Sequence, residues 1–325
     1  MIQEAVNEWL ESVSINGEEF CLAENAKLLT RLEKPKGRID VVIDTDTYNE
    51  IDDQYALAYL IKSDEKINVK GIYAAPFTTY KSTGPADGME KSYQEIHNVL
   101  QLMEREDLHN AVHRGSINYL SNETVPVISD AAKDLAERGM KYSLENPLYV
   151  VAIGAITNIA SALILNPEIK ERIVIVWLGG NALDWPVNNE FNMMQDVAAA
   201  RVVFGCRVPL VQLPCMGVVS AFTTTGPELE FHLKGKNKLC DYLYDITCKE
   251  AADCNGGITW SRPIWDVTAV GWLLAEDFMY DCIKHTPIPE YDNRYAFAAN
   301  RHFYKYVYHI QRDSLLKDLF YKLAK

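Results

Sequence analysis

Residues 41–53 read VVIDTDTYNEIDD, so an apolar run leads directly into four aspartates that lie within ten residues. The β-branched residues of Ile39–Ile43 predict a parallel strand that is buried on both faces. Carboxylates packed this closely repel one another, and burying each one unpaired is costly. The cluster therefore predicts a hard divalent cation with oxygen ligands, Ca²⁺ or Mg²⁺. The alternative is an acidic surface turn that caps a helix beginning near Asp52.

Composition and charge limit the class of protein. The chain has 325 residues, of which 48% are hydrophobic and 24% charged, as is typical of a globular protein with a large core. The net charge of −13 argues against nucleic acid or an anionic membrane as the main partner, because both attract basic surfaces. These values favour a soluble enzyme.

Three features of the sequence predict a cytoplasmic location. No apolar stretch approaches the length that spans a bilayer. The N-terminus, MIQEAVNEWLESVSINGEEF, carries acids where a signal peptide has basic residues followed by an apolar core. The seven cysteines are scattered and include no CxxC pair, as is typical of a reducing compartment.

Strands and helices alternate along most of the chain. We predict strands at 39–43, 69–74, 148–153, 173–178 and 210–213, and helices at 52–61, 89–103, 130–138, 157–165 and 197–204. This alternation predicts an α/β fold with a mostly parallel, doubly wound (Rossmann-like) sheet and helices on both faces. Residues 1–37 are predicted to form a helical extension and residues 38–325 a single α/β domain.

The position of the ligand site follows from the same alternation. In open parallel sheets, ligands bind beyond the carboxyl ends of the strands. The acidic cluster, Gly154 and Gly179-Gly180 all fall at predicted strand ends. We therefore expect these segments to meet at one edge of the sheet.

Four segments carry a resemblance to a known family. They are DTDTYNEIDD (44–53), VAIGAITNIASAL (151–163), GGNALDWPVNNEFNMMQDVAAA (179–200) and Trp265-Asp266. In this order and at this spacing, the chain resembles the inosine-uridine nucleoside hydrolase family over residues 38–325. The resemblance implies calcium-dependent hydrolysis of the N-glycosidic bond of ribonucleosides, and a homo-oligomer, dimer or tetramer.

The resemblance also implies roles for individual residues. It assigns the Ca²⁺ site to Asp46, Asp53, Asp266 and the main-chain carbonyl of Ile153. It assigns ribose binding to Asp52, Glu190 and Asn192. Asp46 has a second role as the general base for the attacking water, and Asp44 supports the cluster by hydrogen bonding. Carboxylates around the ribose suit this reaction, because breaking the bond builds oxocarbenium character on the sugar.

Trp265 occupies the position where many family members carry a histidine, the candidate acid for the leaving base. Tryptophan at this position is similar to purine-specific members, in which aromatic rings stack on the base. An indole face stabilises a nearby cation, so stacking favours protonation of a purine. Tyr119, Trp185 and Trp260 all remain candidates for the second ring. The alternative is that Trp265 only packs in the core.

The opening motif departs from the family pattern. Five residues, 47–51, separate Asp46 from Asp52, where the family usually has three. An asparagine often found after the second strand is also missing from the local sequence AAPFT, residues 74–78. We expect Tyr48, Asn49 or Glu50 to reach the pocket and to alter the range of substrates.

Two other functions compete with this interpretation. A haloacid-dehalogenase-like, Mg²⁺-dependent phosphatase also begins with Asp-x-Asp after a strand, but it gives Asp52-Asp53 and Glu190-Phe191-Asn192 no role. A non-catalytic nucleoside- or ribose-binding protein on the same fold has no need of a residue that activates water. Either way, the expected partner is a small molecule, and no nucleotide-cofactor loop such as GxGxxG follows a strand.

Overall fold

The computed structural model describes residues 22–255 and 259–325. Its twelve strands in the described residues are β1 Ile39–Thr45, β2 Ile67–Ala74, β3 Val112–Arg114, β4 Leu148–Ala152, β5 Ile173–Leu178, β6 Leu210–Leu213, β7 Thr223–Thr225, β8 Ser261–Pro263, β9 Met279–His285, β10 Ile288–Glu290, β11 Arg294–Ala296 and β12 Phe303–Ile310. Eight of these strands form the central sheet, in the order β3-β2-β1-β4-β5-β6-β12-β9.

Helices cover this sheet. They are α1 Leu22–Arg31, α2 Asp52–Ile61, α3 Pro85–Leu102, α4 Asp130–Gly139, α5 Thr157–Leu165, α6 Phe191–Gln195, α7 Val197–Gly205, α8 Gly226–His232, α9 Lys238–Asn255, α10 Val267–Leu274 and α11 Arg312–Ala324. Short 3-10 helices lie at Glu106–Ala111, Pro167–Glu171, Val219–Ala221 and Glu276–Phe278.

The predicted sheet topology is confirmed. Strands β1 to β6 pair only in parallel within the sheet, β12 joins β6 in parallel, and β9 closes the edge antiparallel to β12. The order 3-2-1-4-5-6 is that of a doubly wound sheet, in which the strand order reverses between β1 and β4. A crevice for a ligand is expected at this reversal, beyond the carboxyl ends of the strands.

The core has two layers, one on each face of the sheet. Along β1, Val41 and Ile43 belong to the apolar cluster on one face, and Val42 belongs to the cluster on the other. The first cluster includes Leu57 of α2 and Trp272 of α10, and the second includes α4, α5 and α7. Burial on both faces explains why the parallel strands are continuous in apolar residues rather than alternating.

All ten strands and helices predicted between residues 39 and 213 are present. The bounds of helices 52–61 and 157–165 and of strands 173–178 and 210–213 are as predicted. The helix predicted at 89–103 begins four residues earlier, at Pro85, because proline suits the first turn of a helix. The strand predicted at 148–153 ends one residue earlier, at Ala152.

The predicted helical extension is partly described. Residues 22–31 form α1, and residues 1–21 lie outside the described residues. Leu28 and Leu32 are buried in the core, and Arg31 donates a hydrogen bond to the carbonyl of Lys170 at 2.9 Å. The segment around α1 therefore packs against the α/β domain.

Within the described residues, every helix is too short or too polar to cross a membrane.

The packing of this segment predicts a stability effect. We expect Leu32→Ala to lower the free energy of unfolding by about 2 to 4 kcal/mol, since the side chain is fully buried and its loss leaves a cavity. Leu29→Ala, on the partly buried side of α1, is expected to cost about 1 kcal/mol. Urea denaturation measures both values, and equal losses for the two variants would contradict the packing described.

Candidate active site

A cavity of about 250 Å³ opens at the carboxyl ends of the central strands, where the doubly wound order reverses. All four residues that the sequence assigned to the metal line it, namely Asp46, Asp53, Ile153 and Asp266. The other four predicted site residues line it as well, namely Asp52, Glu190, Asn192 and Trp265. The fold thus brings together residues that are up to 220 positions apart in the sequence, from Asp46 to Asp266.

Three carboxylates form the centre of the site. Asp52, Asp53 and Asp266 each offer an oxygen, and these oxygens all lie within 4.8 Å of one another. Asp52 and Asp53 begin α2, and Asp266 directly precedes α10, so both helix N-termini place partial positive charge beside the carboxylates. The main-chain N–H of Asp266 donates to Asp52 Oδ2 at 3.2 Å, and the hydroxyl of Thr45 donates to Asp53.

Asp46 lies beside this trio, at the end of β1. Its side chain is buried, and its Oδ2 atom has no hydrogen-bond partner among the described residues. Gly154 makes room for it, because a Cβ atom at that position would lie 3.1 Å from Asp46 Oδ1 and 3.0 Å from Ala75 Cβ. The sequence analysis placed Asp46 rather than Asp52 among the metal ligands, whereas the trio of mutually close oxygens contains Asp52.

Burial dominates the electrostatics of these carboxyl groups. Desolvation raises the pKa of Asp46, Asp52 and Asp266 well above the usual range, and mutual repulsion raises it further. Desolvation raises the pKa of Asp53 to about 7, although the hydrogen bond from Thr45 opposes the rise. Four such groups ionise together only if positive charge is supplied.

The donor set fits a divalent cation. All the candidate ligands are oxygen atoms, which is the preference of hard cations such as Ca²⁺ and Mg²⁺. The unpartnered Oδ2 atom of Asp46 and the three close carboxylates are what a missing positive ligand would leave behind.

Asp44 lies on β1, behind the site, and its side chain is fully buried. Asn158 Nδ2 donates to Asp44 Oδ1 at 2.7 Å and to the carbonyl of Ala74 at 3.2 Å. Asn158 Oδ1 accepts from the main-chain N–H of Ser116 at 2.7 Å. Desolvation raises the pKa of Asp44 to about 7, and the Asn158 hydrogen bond opposes that rise. One buried amide thus ties the ends of β1 and β2 to α5.

Glu190 and Asn192 are held rigidly by the main chain. Glu190 caps α6 and accepts hydrogen bonds from the N–H groups of Gly180, Asn192 and Met193 at 2.7 to 2.9 Å. Asn192 Nδ2 donates to the carbonyl of Ile153 at 3.1 Å and to that of Leu178 at 3.0 Å. Both side chains therefore lie fixed across the ends of β4 and β5.

Two tryptophans line the cavity, Trp265 and Trp185, and the latter is 42% exposed. Of the three candidates for a second ring, Trp185 is the one among the lining residues. Tyr119 instead donates to Gln195 Oε1 at 2.6 Å, and Trp260 packs beside Gly226.

The longer loop reaches the cavity in part. Asn49 and Glu50 line it, whereas Tyr48 lines a neighbouring pocket. Sequence reasoning missed several other lining residues, namely Asn181, Phe191, Cys215 and Met216. Asn181 follows the end of β5 by three residues, and Cys215 follows the end of β6 by two. Because ligands bind beyond the carboxyl ends of the strands, these positions were the signal that could have found them.

His113 and Arg114 have structural surroundings. Both lie on β3, and neither is among the residues that line the cavity. Arg114 pairs with Glu90 at 2.7 Å and stacks on Tyr93, while His113 packs edge-on against Tyr73. These contacts are those of residues that stabilise the packing around β3.

Comparisons with known proteins agree with this geometry. The family model described as inosine-uridine preferring nucleoside hydrolase matches residues 41–305. A probable uridine nucleosidase 2 of Arabidopsis thaliana is 27% identical over 229 residues, which are 64% of this chain and 69% of that protein.

Solved structures share the fold. A plant nucleoside hydrolase, PpNRh1, superposes with a TM-score of 0.71 at 18% identity, over 89% of this chain and 99% of that one. A purine-preferring ribonucleoside hydrolase from Gardnerella vaginalis has a TM-score of 0.70 at 18% identity, over 88% of this chain and 98% of that one.

The buried carboxyls predict how stability depends on pH. Folding raises the pKa values of these carboxyls. Without divalent cations, the free energy of unfolding is therefore greatest below their pKa in the unfolded chain. It decreases as the pH rises through their pKa in the folded protein, which is about 7 for Asp53. We expect the metal-free Tm to increase by several degrees from about pH 8 to about pH 5.5. Added Ca²⁺ is expected to stabilise most at the higher pH, because its ligands must be ionised.

Scanning calorimetry in chelator and in Ca²⁺ measures both effects. Asp266→Asn is expected to flatten the pH dependence in chelator, since it removes one of the repelling carboxyls. Asp292→Asn is the matched control, because Asp292 is exposed in a turn and is not among the residues that line the cavity. A metal-free Tm that falls on acidification in this range would show that the cluster does not govern stability.

Proposed function

Because the chain belongs to the inosine-uridine preferring nucleoside hydrolase family and is a hydrolase acting on N-glycosyl compounds, we propose that it cleaves purine ribonucleosides in a calcium-dependent reaction. The products are ribose and the free base. One observation carries the proposal: the trio Asp52, Asp53 and Asp266 shares its cavity with Asp46 and with two tryptophans.

The metal proposal rests on oxygen donors. Asp46, Asp53, Asp266 and the main-chain carbonyl of Ile153 would hold Ca²⁺, which when bound activates a water molecule and orients the ribose diol. Asp52 offers an oxygen within 4.8 Å of oxygens of Asp53 and Asp266, so it would bind either the metal or a ribose hydroxyl. The carbonyl of Ile153 also accepts a hydrogen bond from Asn192.

Asp46 is the proposed general base. A general base must lie within hydrogen-bond reach of the attacking water and must be able to accept its proton. Asp46 lines the cavity, and its buried Oδ2 atom has no hydrogen-bond partner among the described residues, so this oxygen is open to a water molecule. The transition state carries positive charge on the ribose, and the fixed carboxylates of Asp52 and Glu190 are placed to stabilise it without reorganising.

The purine preference rests on what lines the base end of the cavity. Among the described lining residues there is no histidine, lysine or arginine to protonate a leaving base. A purine held between Trp265 and Trp185 is instead protonated from solvent, because indole faces stabilise a cation. A second candidate is pyrimidine cleavage, which the name of the Arabidopsis relative, a probable uridine nucleosidase, favours.

Release of ribose from five nucleosides tests the proposal. We expect hydrolysis of inosine, adenosine and guanosine in Ca²⁺, slower hydrolysis of uridine and cytidine, and no hydrolysis in chelator. Faster cleavage of the pyrimidine nucleosides would keep the hydrolase and refute the purine preference. Binding of nucleosides without any ribose release would instead support the non-catalytic alternative.

The general base is tested by an isosteric variant. Asp46→Asn removes the proton acceptor and keeps the shape, so we expect kcat for inosine to fall by at least about 100-fold. Met216→Leu, at a lining residue with no proposed role, is expected to stay within about threefold of the wild-type rate. A wild-type rate in a pure Asp46→Asn preparation would remove Asp46 from the mechanism.

A further inference from the structure

Arg262 connects three parts of the chain beside the candidate active site. It lies on β8, three residues before Trp265, and its side chain is only 15% exposed. Its Nη2 atom lies 2.8 Å from Glu50 Oε2 and 2.7 Å from Glu250 Oε1. The loop before α2, helix α9 and strand β8 thus meet at one guanidinium group.

The same guanidinium group stacks on Trp265. Its carbon atom lies 4.7 Å from the centroid of the indole ring, within the range of a cation–π interaction. The indole Nε1–H of Trp265 has no hydrogen-bond partner in the part of the chain that the structure describes. The ring is therefore oriented by packing and by Arg262 rather than by a hydrogen bond.

Glu50 is the other end of this connection. It belongs to the five-residue loop 47–51 and lines both the catalytic cavity and a neighbouring pocket of about 350 Å³. The loop is fastened on its other side as well, because Lys81 Nζ donates to the carbonyl of Asn49 at 2.6 Å and lies 3.6 Å from Glu250. Glu50 therefore lies in the wall that the two pockets share.

A buried ion pair of this kind contributes little net stability, because desolvating the charges offsets their attraction. The main consequence of this ion pair is geometric, because the planar guanidinium group fixes the positions of two carboxylates and one ring at the same time. Arg262 is not among the residues that line the cavity, so it acts on a substrate through lining residues: it stacks on Trp265, pairs with Glu50, and its charge lowers the pKa of Asp52.

We propose that Arg262 is a positioning residue for substrate discrimination, which holds the Trp265 ring against the base and Glu50 at the rim of the cavity. The inference rests on the proposed function, in which Trp265 contacts the base. It assigns a role to the longer loop 47–51: the loop supplies the carboxylate that keeps Arg262 over the ring. Hydrolysis of nucleosides whose bases stack on Trp265 should therefore depend on Arg262.

Steady-state kinetics of Arg262→Met with inosine and uridine test the proposal. We expect kcat/KM for inosine to fall about tenfold and that for uridine to fall much less, so that the ratio of the two changes. Arg262→Lys keeps the charge but loses the planar stack. Its inosine-to-uridine ratio of kcat/KM should therefore lie between the wild-type ratio and that of Arg262→Met. Calcium affinity, measured by titration calorimetry, should stay at the wild-type value in Arg262→Lys, which keeps the positive charge that acts on the Asp52 carboxylate.

A double-mutant cycle separates positioning from a general structural effect. In a Trp265→Ala background, Arg262→Met should leave the inosine-to-uridine ratio unchanged, because the ring that it positions is gone. Arg312→Met is the matched control: Arg312 pairs with Glu228 at 2.6 Å and lies away from the cavity lining, so its loss should not move the ratio.

Three results overturn the proposal. They are an unchanged ratio in Arg262→Met, an equal effect in the Trp265→Ala background, and an equal shift in Arg312→Met. If Arg262→Met does not fold, Glu50→Gln replaces it, since it weakens one side of the bridge and should shift the ratio in the same direction. A wild-type protein that hydrolyses no nucleoside would instead refute the proposed function itself.

Discussion

The structure depends on one electrostatic constraint: several carboxylates are buried together at the carboxyl end of one strand. Desolvation and mutual repulsion raise the pKa of Asp46, Asp52 and Asp266. Several surrounding groups counter that repulsion. Two helix N-termini face the cluster, the hydroxyl of Thr45 donates to Asp53, and the amide of Asn158 donates to Asp44. These groups do not neutralise all of the negative charge of the carboxylates, and the remaining charge suits a divalent cation.

The doubly wound sheet is what makes this cluster possible. Because β1 and β4 are neighbours at the reversal of strand order, Asp46 and Ile153 emerge side by side although more than 100 residues separate them. Gly154 permits the close approach, since any Cβ atom there would meet Asp46. The rigid strand ends thus fix the oxygen atoms, which is where precise distances matter most.

The base end of the cavity is built differently. Trp185, Glu50 and Asn49 come from connecting segments rather than from the central strands. Loops vary more readily than the elements they connect, so under the proposed function these segments are where the choice of base would be set. The relatives illustrate this range, with one named as a uridine nucleosidase and another as purine-preferring. Arg262 links the loop to Trp265 at this end of the cavity.

The sequence by itself determined the local structure and the chemistry of the carboxylate site. Apolar periodicity predicts helices 52–61 and 157–165 with their observed bounds, and the aspartates at a strand end predict a cation site. Only the tertiary structure decided which distant groups meet. It selected Trp185 among three candidate rings, and it brought Arg262 to Glu50 across 212 positions. Periodicity and propensity act over a few residues, whereas such contacts depend on how helices and loops pack on the finished sheet.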